Sequence, residues 1–158
     1  MKRDINLIEL SRDHHHGLLL GWKVRQGLKA NVSESTIAEY VQYFADEALR
    51  EHFIEEEELL LKYLPDNDVY KQRTLKEHSE ILDRANLLGT PEHVNAENLI
   101  GIAELLDRHI RFEERDFFPY LEKTLSADEL SEVGAAITEV HKPYIENFPN
   151  EFWKSAVN

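Results

Sequence analysis

Cysteine is absent from this chain, which excludes disulfides, thiolate nucleophiles and iron–sulfur ligation. Glycine and proline are scarce, six and five in 158 residues. That scarcity argues against turn-rich β architectures and for long helices. Positive charge is also short. Lys plus Arg number 18 against 31 Asp plus Glu, a net charge of −13. So acidic a surface repels nucleic acid and anionic membrane, and no basic cluster offsets it. The opening MKRDINLIEL has no long apolar run, so neither a secretory leader nor a membrane span is expected. A reducing cytoplasm is the expected setting. The length suits one domain with a sizeable core.

The apolar spacing predicts four long helices and a short fifth. The first runs from near Asp4 or Asn6 to about Ala30, through Leu7, Leu10, Leu18, Trp22 and Leu28. Gly17, Gly21 and Gly27 weaken it by propensity but would let a neighbouring helix come close. The second starts after Ser33 or Ser35, both good N-caps, and stops at Pro65. The third covers about Val69 to Leu88 and the fourth about Ala96 to Lys123. Pro119 is expected to kink or fray the last turn of the fourth. Ser126 and Glu129 form a capping box that opens the fifth, which should end at Pro143. The tail NFPNEFWKSAVN should pack on the bundle. The expected fold is all-α: an up-down-up-down four-helix bundle over about 5–123, then a C-terminal helix and packed tail over about 126–158.

One thirteen-residue pattern occurs twice. HFIEEEELLLKYL spans His52 to Leu64, and HIRFEERDFFPYL spans His109 to Leu121. Each opens on His, places Glu four and five residues later, and ends in Tyr-Leu. Positions i and i+4 share a helix face, so His52 with Glu56 and His109 with Glu113 each form a two-ligand claw. A single His-x3-Glu on an acidic helix is weak evidence, more often a solvated pair. Two in matched context, flanked by Phe53, Phe112, Leu60, Phe117 and Phe118, point to buried carboxylates. Those need compensating positive charge.

The remaining two helices each offer histidine. The third supplies His78. The first supplies His14, His15 and His16 in a row. His15 is followed at +3 and +4 by Leu18 and Leu19, the closer match to Ile81 and Leu82 after His78, and is preferred on that ground. His14 follows Asp13 as His78 follows Glu77, and is retained; His16 is set aside. The candidate metal set is therefore His14 or His15, His52, Glu56, His78, His109 and Glu113. If Glu56 and Glu113 bridge, each of two metals receives two nitrogens and two oxygens, leaving room for water, oxide or a diatomic ligand. Iron suits this set; manganese and zinc are alternatives. The order differs from the Glu-x-x-His of ferritin-like di-iron bundles and from the zincin HExxH.

The segments DHHHGLLL, HFIEEEELLLKYL, EHSEIL and HIRFEERDFFPYLEK resemble the hemerythrin HHE cation-binding family over roughly residues 8–123. The resemblance implies an up-down four-helix bundle around a non-haem di-iron centre. Family members bind oxygen reversibly, sense oxygen or redox state, respond to nitric oxide, or help restore damaged iron centres. Oxygen carriers have a His-x3-His pair on the third helix; here Thr74 precedes His78 by four. Their fourth helix carries Asp five residues after its His; here Glu113 lies four after His109, and position 114 is Glu. Both departures bring this chain closer to members resembling iron-centre repair proteins, with six protein ligands.

Other polar residues carry weaker readings. His93 reads as an exposed loop residue, and His141 as a partner of the fifth helix's dipole, with approach to the metal site as the lesser alternative. Glu57 and Glu114 read as outer hydrogen-bond acceptors or solvated groups, and the rest of the run Glu55 to Glu58 as an exposed acidic face. Tyr63 and Tyr120 read as packing residues with polar tips. The leading functional expectation is a module binding oxygen, nitric oxide or a related small ligand for sensing, storage or scavenging. The alternatives are an iron-handling or repair factor, a weak peroxidase or oxidase, and a metal-stapled interaction protein whose partner no motif names. No motif marks a dedicated acid, base or substrate pocket, so a dedicated enzyme is not expected.

Overall fold

The computed structural model describes residues 2–155, whose regular elements are helices with no strand. Helix α1 spans Ile8–Lys29. It begins two to four residues later than the sequence suggests, because Asp4 first closes a turn onto the Asn6 amide at 2.8 Å. Helix α2 is one continuous rod over residues 34–63. It is α-helical over Glu34–Phe44 and Arg50–Glu55, makes π turns at Ala45–Leu49 and Glu56–Leu60, and closes in a 3₁₀ turn at Leu61–Tyr63. Helix α3 is Val69–Leu87. Helix α4, residues 96–124, is α-helical over Ala96–Phe112 and Phe118–Thr124 with a π turn at Glu113–Phe117. Helix α5 is Ala127–Val140, and a short α6 is Phe152–Ser155.

Helix starts follow side-chain capping. Ser33 accepts from the Thr36 amide, Asp68 from Tyr70 and Lys71, and Asn95 from Asn98; Ser126 and Glu129 complete the capping box. Each satisfies amides that would otherwise lack partners. Pro119 does not break α4. It sits in the first turn of the segment after the π turn, where the ladder changes register. Helix α5 stops at Val140, three residues before Pro143, and the backbone turns extended at His141.

Helix α1 packs along α4, and α3 packs on α4 from another side. At Gly17 an added Cβ would lie 2.5 Å from Cδ1 of Ile110, and at Gly27 2.7 Å from the Phe152 ring. Gly17 thus admits α4, and Gly27 admits the tail. Gly17→Leu is expected to lower stability by about 1–3 kcal/mol through overpacking; urea denaturation followed by circular dichroism would register it.

Two apolar clusters result. One holds Tyr40, Phe44, Ile81, Leu106 and, from the tail, Phe152 and Trp153. The other holds Leu7, Leu10, Leu60, Phe117, Leu121 and Val133. Along α1, α2 and α4 the first cluster lies on one side, in sequence, of a short polar stretch and the second on the other. Buried charge is confined largely to that stretch. The tail is also held by Lys23, 8 % exposed, which pairs with Glu146 at 2.5 Å and stacks on Trp153 at 4.1 Å. No helix among the described residues is long and apolar enough to cross a membrane.

Candidate metal centre

The polar stretch is a cage. His14 from α1, His52 and Glu56 from α2, His78 from α3, and His109 and Glu113 from α4 are all buried, both glutamates completely. Their ligand atoms fall into two groups within 4.8 Å of one another: His14, His52, Glu56 and Glu113; and Glu56, His78, His109 and Glu113. Both carboxylates belong to both groups. Glu56 Oε1 lies 3.2 Å from Nε2 of His52 and of His78. Glu113 Oε1 lies 3.0 Å from Nε2 of His14 and 3.3 Å from Nε2 of His109.

The preference for His15 is corrected. His15 is exposed and outside the cage, whereas His14 is 5 % exposed and inside it. On a helix packed through Gly17, Leu10, Leu20 and Val24, position 14 shares the inward face and position 15 turns about 100° away. The Leu18–Leu19 match misled because Leu18 is itself 40 % exposed. Thr74, one turn before His78, is fully buried with its hydroxyl unpartnered.

The imidazoles are oriented from outside. His14 Nδ1 meets Glu114 at 2.9 Å, His52 Nδ1 meets Asp13 at 2.9 Å, His78 Nδ1 meets Glu57 at 2.7 Å, and His109 Nδ1 meets Glu77 at 2.8 Å. With Nδ1–H donating outward, each Nε2 presents its lone pair to the cage, the arrangement that metal-ligating histidines use. Phe53 stacks on His78 at 3.8 Å between ring centres, and Phe118 on His14 at 5.5 Å. These contacts further restrict the rings. Glu57 and Glu114, left open between outer acceptor and solvated group, are both acceptors.

The inward atoms test the fit to a cation. Nε2 of His52, His78 and His109, both Glu56 oxygens and Glu113 Oε2 are buried without hydrogen-bond partners. Six orphaned polar atoms within one cage would be costly, and cations coordinated by nitrogen and oxygen would satisfy them. In the metal-free state, protons supply the compensation. Burial opposes charge on His14, yet Glu113 and Glu114 hold its pKa up to about 9. His52 and His78 are raised well above the ordinary value, again against burial and chiefly by the cage and outer carboxylates; His109 is raised by Glu113 and Glu77. Burial would raise Glu113, but His109, His14 and His78 hold it well below the usual carboxylate range.

Both π turns after the claws begin at the cage glutamate itself, Glu56 and Glu113. The extra residue shifts the inward face so that Leu60, Leu61 and Leu64, and in the repeat Phe117, Phe118 and Leu121, are buried beyond the cage. Their matched places in the two copies fit the frequent use of π bulges at functional sites. The His-x3-Glu spacing did not disclose them.

A cavity of about 390 Å³ reaches the cage. It is lined by His14, His52, His109 and Glu113, by Phe44, Phe53 and Ile110, and by the segment from His141 to Ile145. Glu55, expected on an exposed acidic face, is instead 4 % exposed and paired with His141 at 2.8 Å. His93 is half-buried and outside the cage. Tyr63 and Tyr120 direct their hydroxyls to Glu132 and Asp68.

Among known families, the Hemerythrin HHE cation binding domain matches residues 6–121 of the chain. No curated protein and no solved structure matches it.

Proposed function

The chain belongs to the hemerythrin HHE cation-binding family, and from that premise we propose that it holds a non-haem di-iron centre which binds oxygen, nitric oxide or a related small ligand for sensing, storage or scavenging. The observation that carries this reading is the sharing of Glu56 and Glu113 between two groups that each add two imidazoles. His14 and His52 would serve one metal, His78 and His109 the other, with both carboxylates spanning the pair. Manganese or zinc would also suit these donors. When bound, iron supplies redox chemistry and open positions for an exogenous ligand. The protein's part is to orient each imidazole through an outer carboxylate and to keep the cage surrounded by apolar walls.

The architecture that fits this reading is one up-down-up-down bundle with a C-terminal helix and tail, in a reducing cytoplasm. It calls for no nucleic-acid or membrane partner. Protein loaded anaerobically with ferrous iron and then exposed to oxygen or nitric oxide should develop new visible absorption. Unchanged spectra with iron bound would remove the gas-binding role.

The cavity favours a second reading, iron handling or slow peroxide turnover, because about 390 Å³ exceeds what a diatomic ligand requires. Catalytic consumption of peroxide with a reducing substrate would support it; oxidation limited to one equivalent would count against it.

A further inference from the structure

We infer that His141, from the segment after α5, is a positioning residue for the metal ligand His52, acting through Asp13. The inference rests on the di-iron reading above. Residue 141 lies outside the matched stretch 6–121, and the sequence alone leaves it between a helix-dipole partner and a residue near the metal site, with no contact named.

Three contacts form one chain. Glu55 meets His141 Nδ1 at 2.8 Å; His141 Nε2 meets Asp13 Oδ1 at 3.3 Å; and the other Asp13 oxygen meets His52 Nδ1 at 2.9 Å. Both ring nitrogens of His141 face carboxylates, Nδ1 that of Glu55 and Nε2 that of Asp13. Its side chain is 6 % exposed, and that of Asp13 is 18 % exposed. Two of the other three outer carboxylates have supports within the four long helices or the N-terminal segment. Glu114 receives Ser11 at 2.6 Å and lies near Arg3, and Glu77 receives Arg73 at 2.9 Å. Asp13 depends on a residue beyond the four long helices. With one oxygen beside each ring, Asp13 is flanked by His141 and His52, and the His141 ring limits how far the carboxylate facing His52 Nδ1 can turn.

The segment that brings His141 to Asp13 continues through Tyr144 and Glu146, where the Lys23 pair anchors it. Outer partners of metal-bound histidines typically contribute roughly 10–100-fold in metal affinity. One step further out, the effect of losing the Asp13 contact is expected at about tenfold.

The decisive comparison uses amide side chains of different reach in the full-length protein. A Gln amide nitrogen approximates His Nε2, so His141→Gln keeps the donor to Asp13 and loses that to Glu55. An Asn amide nitrogen approximates Nδ1, so His141→Asn does the reverse. Ferrous iron affinity by chelator competition and Mössbauer spectra of the iron-loaded proteins are the readouts. Circular dichroism establishes folding, and Lys23→Met serves as a variant that loosens the tail elsewhere. The expected result is near-wild-type affinity and spectra for His141→Gln and Lys23→Met. His141→Asn should bind iron about tenfold more weakly, with one of the two iron signals shifted.

Identical iron behaviour in His141→Gln and His141→Asn, or an equal loss in Lys23→Met, would assign His141 a purely structural role and overturn the inference. A third metal equivalent lost on substitution would make His141 a ligand and likewise overturn it. If wild-type protein binds no iron, the di-iron reading fails and this one with it; if wild type binds two and the His141 variants match it, only this one fails.

Discussion

Glu113→Ala is expected to empty both metal positions, whereas His78→Ala is expected to empty one. Glu113 has one oxygen within 3.3 Å of both His14 and His109, and its carboxylate belongs to both ligand groups. Its loss removes a donor and a negative charge from each metal at once. The remaining Glu56 would then face four imidazoles and two dications alone. His78 belongs to one group only, so its removal spares the His14–His52 side. Elemental analysis of anaerobically reconstituted proteins would therefore fall from about two irons per chain to near zero for Glu113→Ala and to about one for His78→Ala. The affinity loss in Glu113→Ala should exceed the roughly 10–100-fold typical of an outer partner. Equal loss in both variants would mean the carboxylate does not bridge.

The second large effect concerns metal removal and its dependence on pH. Ligands that bind only the folded state at about 1,000 times their dissociation constant add roughly 4 kcal/mol. For a chain of this size each kcal/mol moves Tm by roughly 2–4 °C, so stripping the metal should lower Tm by about 8–16 °C. The pH dependence follows from the raised imidazoles. A group whose folded pKa lies above its unfolded value stabilises fully below the unfolded value and loses that contribution as pH rises through the folded one. For His14 the window runs from 6.5 to about 9; His52, His78 and His109 shift in the same direction. The metal-free protein should therefore weaken across that window. The metal-bound protein does not depend on those protons, and metal no longer has to displace them. The Tm difference between the two forms should widen from pH 6 to about pH 9, and metal should be released below roughly pH 5–6. Scanning calorimetry of both forms would check this. A difference that is flat or narrows with rising pH would contradict it.

The duplicated His-x3-Glu claws were legible because an α-helix converts a spacing of four directly into a shared face, and five of the six cage residues follow from that rule together with His78. The sixth, His14, could not be separated from His15 by local matching. Which of two adjacent residues points inward depends on the phase of the whole helix, and that phase is set by Leu10, Gly17, Leu20 and Val24 against α4. The π turns at Glu56 and Glu113 left no spacing signal, since one extra residue per turn resembles an ordinary drift of the apolar pattern. The pairing of Glu55 with His141 was invisible because it joins positions 86 apart in sequence, through a segment with no periodicity to orient it. Tail packing was anticipated from Phe152 and Trp153. Its reach to the cage through His141 stood only as the lesser reading, because a histidine at a helix end already has a sufficient local explanation.

The central claim is that Glu56 and Glu113 lie between two metal ions inside the cage. A crystal of iron-loaded protein, measured with X-rays just above and below the iron absorption edge, tests it most directly. Two anomalous peaks are expected, one beside His14 and His52 and the other beside His78 and His109, with both carboxylates between them. A single peak, peaks elsewhere, or glutamates turned away from the metal would contradict the account.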